Sequence, residues 1–338
     1  MKDVINSNTC TSIYPICETP VSYCDETFKD FDAQAERLVG HDQEYIQLSP
    51  GEFSGRFASL FLGEHISLHV ETCNQSLEQN LTIPDDSITI GLVLNSQQNF
   101  LANNSILDES KVMITAPGAE LNITSPIDGK ILAICVNKHF FMDKCNDPAL
   151  CEYFDSKTGS VSIIDSPYLA AQLRDNARGL LRELNSPPLT THPQPDGAKI
   201  GTALIETITA QFSLQNAASG LNELPQNGSS QELFHQARKL IADHTNSPLD
   251  TNKLSKQLGC STRTIQKAFA CSIQKGPATY DRIVRLNNAR KEILSPLLHE
   301  ESIGDVAFRH GFWNLSRFSS QYRSQFGELP SETRSRVI

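Results

Sequence analysis

"VAFRHGFWNLSRFSSQYR", residues 306–323, decides the fold because it rewrites an earlier stretch, "LSKQLGCSTRTIQKAFA", residues 254–270. Leu254 aligns with Val306, Ser255 with Ala307 and Gly259 with Gly311, each pair 52 positions apart. Past the turn the offset becomes 53, pairing Ser261 with Asn314, Ile265 with Phe318 and Phe269 with Tyr322. One residue has therefore entered the second turn. Each copy reads as a helix ended by a Gly in the left-handed C′ position, then a capping Ser or Asn that starts a second helix. That layout is a helix-turn-helix, written twice.

Within each second helix the 3.6-residue period separates core from surface. In the later copy Leu315, Phe318, Tyr322 and Phe326 form one apolar stripe, extending the quoted run by three residues. Asn314, Ser316, Arg317, Ser320 and Gln321 are left outside it or on its opposite face. In the first copy Ile265, Ala268 and Phe269 form the stripe, and Arg263, Thr264, Gln266 and Lys267 are the candidate outward groups. On one isolated helix such polar groups would simply be solvated. On two matched units they are the side chains that bond base edges and phosphates from a helix in the major groove. Trp313, just before the cap, is placed to staple onto Phe318.

The net charge of −10 hides a division. Residues 231–338 hold 16 Lys and Arg against 10 Asp and Glu, whereas residues 1–230 hold 13 against 29. Only the C-terminal part is suited to a polyanion. The sign changes at "SGLNELPQNGSSQE", residues 219–232, a Ser-, Gly- and Asn-rich stretch that reads as a linker. The expected organisation is residues 1–218 as one domain, 219–231 as linker and 232–338 as the DNA-binding domain.

Before that linker, "FASLFLG", "HISLHVE", "SITIGLVL", "KVMITAPG" and "AELNITS" alternate or run apolar in short pieces separated by turn formers. This is the pattern of an antiparallel β-sandwich or barrel. Two helices are expected after it, over 167–185 and 198–214. The predicted fold class is thus α+β: a β-sandwich or barrel with flanking helices, then an all-α double helix-turn-helix domain. Nine scattered cysteines without a Cys-x-x-Cys pair read as reduced thiols. Cys10, Cys17 and Cys24 share a seven-residue spacing that Pro15 and Pro20 interrupt. A polar N-terminus and the lack of long apolar runs point to a cytoplasmic protein with no membrane partner.

Residues 233–334 resemble the DNA-binding domain of the AraC/XylS family of bacterial transcription regulators. The resemblance runs through Leu254, Ser261, Arg263, Phe269, Pro277, Tyr280, Arg285, Leu286 and Ala289, and then Ile303, Ala307, Gly311, Phe312, Ser316, Phe318, Tyr322, Phe326, Gly327 and Pro330. It implies two helix-turn-helix units joined by a rigid central helix near 277–294 and entering successive major grooves. Two positions depart from the family pattern: Gln274 stands for a usual Gly, and Thr333 for a frequent Tyr. The first 218 residues are similar to the family's cupin-like sensor domains. "DFDAQAERLVGHDQEYIQLSPGEFSGRFASLFLG" (30–63) resembles the group containing ethanolamine-operon regulators.

This resemblance implies an activator controlled by a small-molecule effector held in the barrel, a homodimer, and RNA polymerase as an open partner, with no cofactor. Two alternatives stay open. The barrel could serve only dimerisation or a protein partner, or it could be a metal-dependent enzyme fused to a DNA-binding module. His65, His69 and Glu71 share one face of an extended strand, which makes them candidates to line an effector pocket. The His-x-His pair of metal-binding cupins is absent, so no metal is expected at them.

Overall fold

The computed structural model describes residues 21–38, 41–103, 105–184, 196–214, 229–244, 246–295, 297 and 301–336. Most of the expected linker, together with Cys10 and Cys17, lies outside the described residues. In chain order the elements of the first part are β1 (Val21–Phe28), α1 (Phe31–Ala35), β2 (Asp42–Gln47), β3 (Gly55–Leu62), β4 (Ile66–Cys73), β5 (Leu77–Thr82), β6 (Ser87–Asn95), β7 (Phe100–Ala102), β8 (Ser105–Leu107), β9 (Lys111–Thr115), β10 (Glu120–Thr124), β11 (Gly129–Asn137), α2 (Lys138–Lys144), α3 (Pro148–Ser156), β12 (Val161–Asp165), α4 (Pro167–Leu184) and α5 (Gly197–Leu214). All-helical structure follows: α6 (Ser229–Ala242), α7 (Thr251–Gln257), α8 (Thr262–Ile273), α9 (Pro277–Leu294), α10 (Ile303–Arg309), α11 (Leu315–Phe326) and α12 (Pro330–Arg334).

Among the described residues the strands form two antiparallel sheets, ordered β1-β3-β4-β11-β6-β9-β12 and β2-β5-β10-β7-β8. The larger sheet is covered on both faces. Its inner face meets the smaller sheet through Val93, Met113 and Ile131, packed with Phe100, Leu121 and Ile123. Its outer face holds Leu60, Leu68, Leu92, Leu132 and Ile134 beneath the helices, with Leu169, Leu173, Ile205, Ile208 and Phe212 above them. Double coverage is why "SITIGLVL" runs apolar instead of alternating: seven consecutive residues of β6, Ile88–Leu94, are buried. Among the described residues no helix is long and apolar enough to cross a membrane.

In the second part α9 is the axis. Tyr280, Ile283 and Val284 close a core with Leu254, Ile265, Ala268 and Phe269 of the first helix-turn-helix and Phe234 of α6. Leu286, Ala289 and Ile293 close another with Val306, Phe318 and Tyr322 of the second. Each large apolar side chain so buried contributes roughly 1.5–3 kcal/mol.

The two parts are not merely tethered. The second core takes in Phe31, Tyr45 and Phe53, and the first takes in Ile46 and Leu48. Around this seam the backbone N–H of Gln47 donates to Asn287 Oδ1 (2.9 Å), and Gln325 Nε2 donates to the Gln47 carbonyl (2.8 Å). Gly327, at φ +79°, lies so close to Glu52 that a Cβ there would sit 2.9 Å from the Glu52 nitrogen. Arg290 is sunk between the parts: its Nη1 donates to Asp32 Oδ2 (2.8 Å), its Nη2 to Asp30, and its guanidinium lies over Phe31 and Phe326.

Candidate nucleic-acid interface

Both turns form as the repeat requires. Gly259 and Gly311 take φ of +62° and +72°, which glycine adopts without the Cβ penalty. Ser261 Oγ accepts from the Thr264 N–H (3.1 Å), and Asn314 Oδ1 accepts from the Arg317 N–H (2.9 Å), so each helix start is capped. Gly311 is also pinned by neighbours, since a Cβ on it would come within 2.9 Å of Ser247 Cα.

The faces separate cleanly on α8. Ile265, Ala268 and Phe269 are buried, while Arg263, Thr264, Gln266 and Lys267 are exposed. Thr264 is not wholly free to reach outward, because its hydroxyl is 2.7 Å from Ser261 Oγ. On α11, Phe318, Tyr322 and Phe326 are buried and Asn314, Ser316, Arg317 and Ser320 exposed. Asn314 spends its side-chain oxygen on the cap, and Gln321 is half-buried.

Two expectations fail here. Leu315 does not join the apolar stripe: it is 43% exposed. Trp313 does not staple onto Phe318. It is 70% exposed and stacks on Phe308, centroids 6.2 Å apart, whereas Phe312 meets Phe318 at 5.1 Å. The left-handed Gly311 sets the exit direction of the chain and turns Phe312 inward, leaving Trp313 at the surface. The extra residue of the second turn is therefore an aromatic held outside.

The two departures from the family pattern are explained locally. Gln274 takes the left-handed conformation, φ +54°, at the C-cap of α8, a place where Gly carries no penalty. Thr333 is buried and accepts a hydrogen bond from the Tyr322 hydroxyl (2.9 Å), tying α12 to α11.

The candidate effector residues are divided. His65 falls in the turn before β4, exposed and stacked on Phe140, and so is not on a common face with the other two. His69 and Glu71 do point inward, to different networks. His69 lies between Phe57 and Phe61, with Ser59 and Ser67 hydroxyls 2.9 and 2.8 Å from its two ring nitrogens. Burial pulls its pKa down to about 4, which keeps the ring neutral at physiological pH. Glu71 accepts from Gln34, Tyr45 and Gln79 at 2.7–2.8 Å. These bonds satisfy both side chains without a ligand. Among the described residues no group of three or more His, Cys, Asp or Glu is placed to hold a metal ion.

Sequence reasoning missed Asn287 and Arg290 as groups that bind one half of the chain to the other. Their partners lie about 240 to 260 positions away in sequence, so no local period could show them.

Two capped, Gly-turned units with exposed polar faces, packed on one shared helix, define a double helix-turn-helix domain of the DNA-binding class. The family profile described as "Helix-turn-helix domain" matches residues 254–336. The chain is 33% identical over 89 residues to a probable thc operon regulatory protein of Rhodococcus erythropolis, covering 26% of this chain and 27% of that one. It is 29% identical over 134 residues to XylDLEGF operon transcriptional activator 2 of Pseudomonas putida, 40% of this chain and 79% of that one. Among solved structures, a probable AraC family transcriptional regulator from Rhodopseudomonas palustris is 34% identical across 31% of this chain and 97% of its own, with a TM-score of 0.30. Through this domain the chain belongs to the AraC/XylS family. The match spans about a quarter of the length of the Rhodococcus protein.

Proposed function

We propose that the protein is a sequence-specific transcription regulator, an activator, whose sheet-rich part binds a small-molecule effector and pairs two chains into a dimer. One observation carries the DNA-binding half of this reading. Arg263, Gln266 and Lys267 on one helix, and Ser316, Arg317 and Ser320 on its repeat, are exposed while the apolar stripes behind them are buried. A rigid helix backbone fixes where these side chains start from, and guanidinium and amide groups discriminate bases there.

The sensing half is supported by α4 and α5, which lie on the outer face of the large sheet and are suited to meet a second chain. Their outward residues Tyr168 and Leu214 are 60% and 79% exposed. The buried seam between the parts gives a physical route from sensor to reader, since a ligand can act on DNA affinity only by favouring one arrangement over another.

The test is operator selection from random duplexes, followed by affinity measurements. Arg263→Ala and Arg317→Ala should each cost about 1–3 kcal/mol on the selected site and relax preference at one position. A loss equal on all sequences would make them phosphate contacts. An affinity that no substitution on either face changes would overturn the reading. A barrel that serves only pairing or a protein partner would show as dimerisation with no small molecule altering operator affinity.

A further inference from the structure

At one end of its helix-covered face the larger sheet carries a cleft of about 680 Å³, within the range of small-molecule sites. Its floor is set by strand register. Arg56 of β3 lies opposite Thr72 of β4, Thr72 opposite Lys130 of β11, and Lys130 opposite Asn95 of β6, which makes one polar row across four strands. One step inward, Ala58 lies opposite Val70, and Leu94 also lines the cleft, so the floor turns apolar. The wall facing this floor is the end of α4, with Arg178, Leu181 and Arg182; Tyr23 closes a side.

None of the eleven lining residues is acidic, and four of them are cations. That is unusual here, because residues 1–230 contain only 13 Lys and Arg against 29 Asp and Glu. The cations are partly engaged. Arg56 Nε donates to Asp25 Oδ1 (2.7 Å), and Arg178 Nη2 donates to the Leu94 carbonyl (2.8 Å) with Asp175 3.9 Å away. Arg182 also has a partner, whereas among the described residues Lys130 forms no ion pair. Positive charge gathered at a cleft with an apolar floor raises the local concentration of anions and accommodates a carbon body.

We infer that this cleft is the effector site and takes an amphiphilic organic anion, a carboxylate or phosphate monoester on an apolar body. The inference rests on the reading of the sheet-rich part as a sensor. An anion bridging Lys130 on the floor and Arg182 on α4 would fix the seating of a helix proposed to pair two chains, which gives the ligand a lever on the dimer.

The experiment is calorimetric titration of the full-length protein with octyl phosphate, octanoate and 1-octanol, each below its aggregation or solubility limit. One or both anions should saturate one site per chain about tenfold more tightly than the alcohol, and the tighter one names the head group. Lys130→Gln and Arg182→Gln should each weaken that anion about tenfold, while Lys199→Gln, a charge removed elsewhere, leaves it unchanged. Thermal melts of each variant check the fold, and Lys130→Gln suffices should Arg182→Gln not fold. Equal affinity for the alcohol, no saturable binding of either anion, or affinity unmoved by Lys130→Gln overturns the inference. Operator affinity is then measured with the cleft saturated. If it does not move, the sensor role fails while the anion site stands; if no anion binds, the site fails while the DNA-binding reading stands.

Discussion

Replacing Arg290 with Met keeps most of the buried aliphatic volume and removes the charge that joins α9 to α1. The Arg290 side chain is 2% exposed, while its partners Asp30 and Asp32 retain 20% and 30%. Breaking a buried ion pair by removing one partner costs about 3–5 kcal/mol, because the remaining charge is left uncompensated. Both aspartates can partly rehydrate, so the lower end of that range applies, about 3 kcal/mol including the lost stacking on Phe31 and Phe326. The seam itself offers the reporter: the Gln47 amide donates to Asn287 across it. Opening made easier by about 3 kcal/mol should speed Gln47 hydrogen exchange about 150-fold, with strand amides such as Leu132 in β11 changing far less. In combination with Asp32→Asn the two costs should fall short of additivity by about 1–2 kcal/mol. Gln47 exchange within about threefold of the parent, or costs that add within about 0.5 kcal/mol, would refute the idea that this cation holds the two parts together.

Gln274→Gly should stabilise the protein by about 0.5–1 kcal/mol in urea titrations, since an L-residue in the left-handed region costs about 1–2 kcal/mol and glycine's extra chain entropy returns part of that; a loss would show that the Gln274 side chain stabilises the cap. Phe312→Ala should cost about 3 kcal/mol and Trp313→Ala less than about 1, the reverse of what a Trp313 staple demands. His69 is held near pKa 4 when folded and titrates near 6.5 when unfolded, so the unfolded chain binds the extra proton between these values. Its stabilising effect is complete above pH 6.5 and declines as pH falls toward 4, by up to about 3 kcal/mol. His69→Asn should flatten that part of the stability–pH curve, and an unaltered slope would exclude burial of the ring as the cause.

Local chemistry was enough wherever the deciding contacts are near in sequence. The repeat, the two left-handed glycines, the Ser261 and Asn314 caps, and the bounds of α4, α5 and α9 rest on turns, caps and helical periods, whose partners lie within a few residues. The strands could be read as well, because coverage on one or both faces leaves an alternating or a continuous apolar pattern. Leu315 and Trp313 were misread because helical spacing gives an angle about the axis but not the direction in which a left-handed turn delivers the chain. His65 was misread because strand parity holds only inside a strand, and β4 starts one residue later.

What the sequence determined by itself is a helical domain with two matched helix-turn-helix units attached to an acidic, strand-rich half. Only the tertiary structure decided how the halves meet and where cations gather. Arg290 finds Asp30 and Asp32, and Arg56 joins Lys130 and Arg182, across separations at which chain order carries no geometric information. Pairing of strands and docking of helices set those distances, because buried apolar faces can be closed in few ways and each closure brings particular charges together.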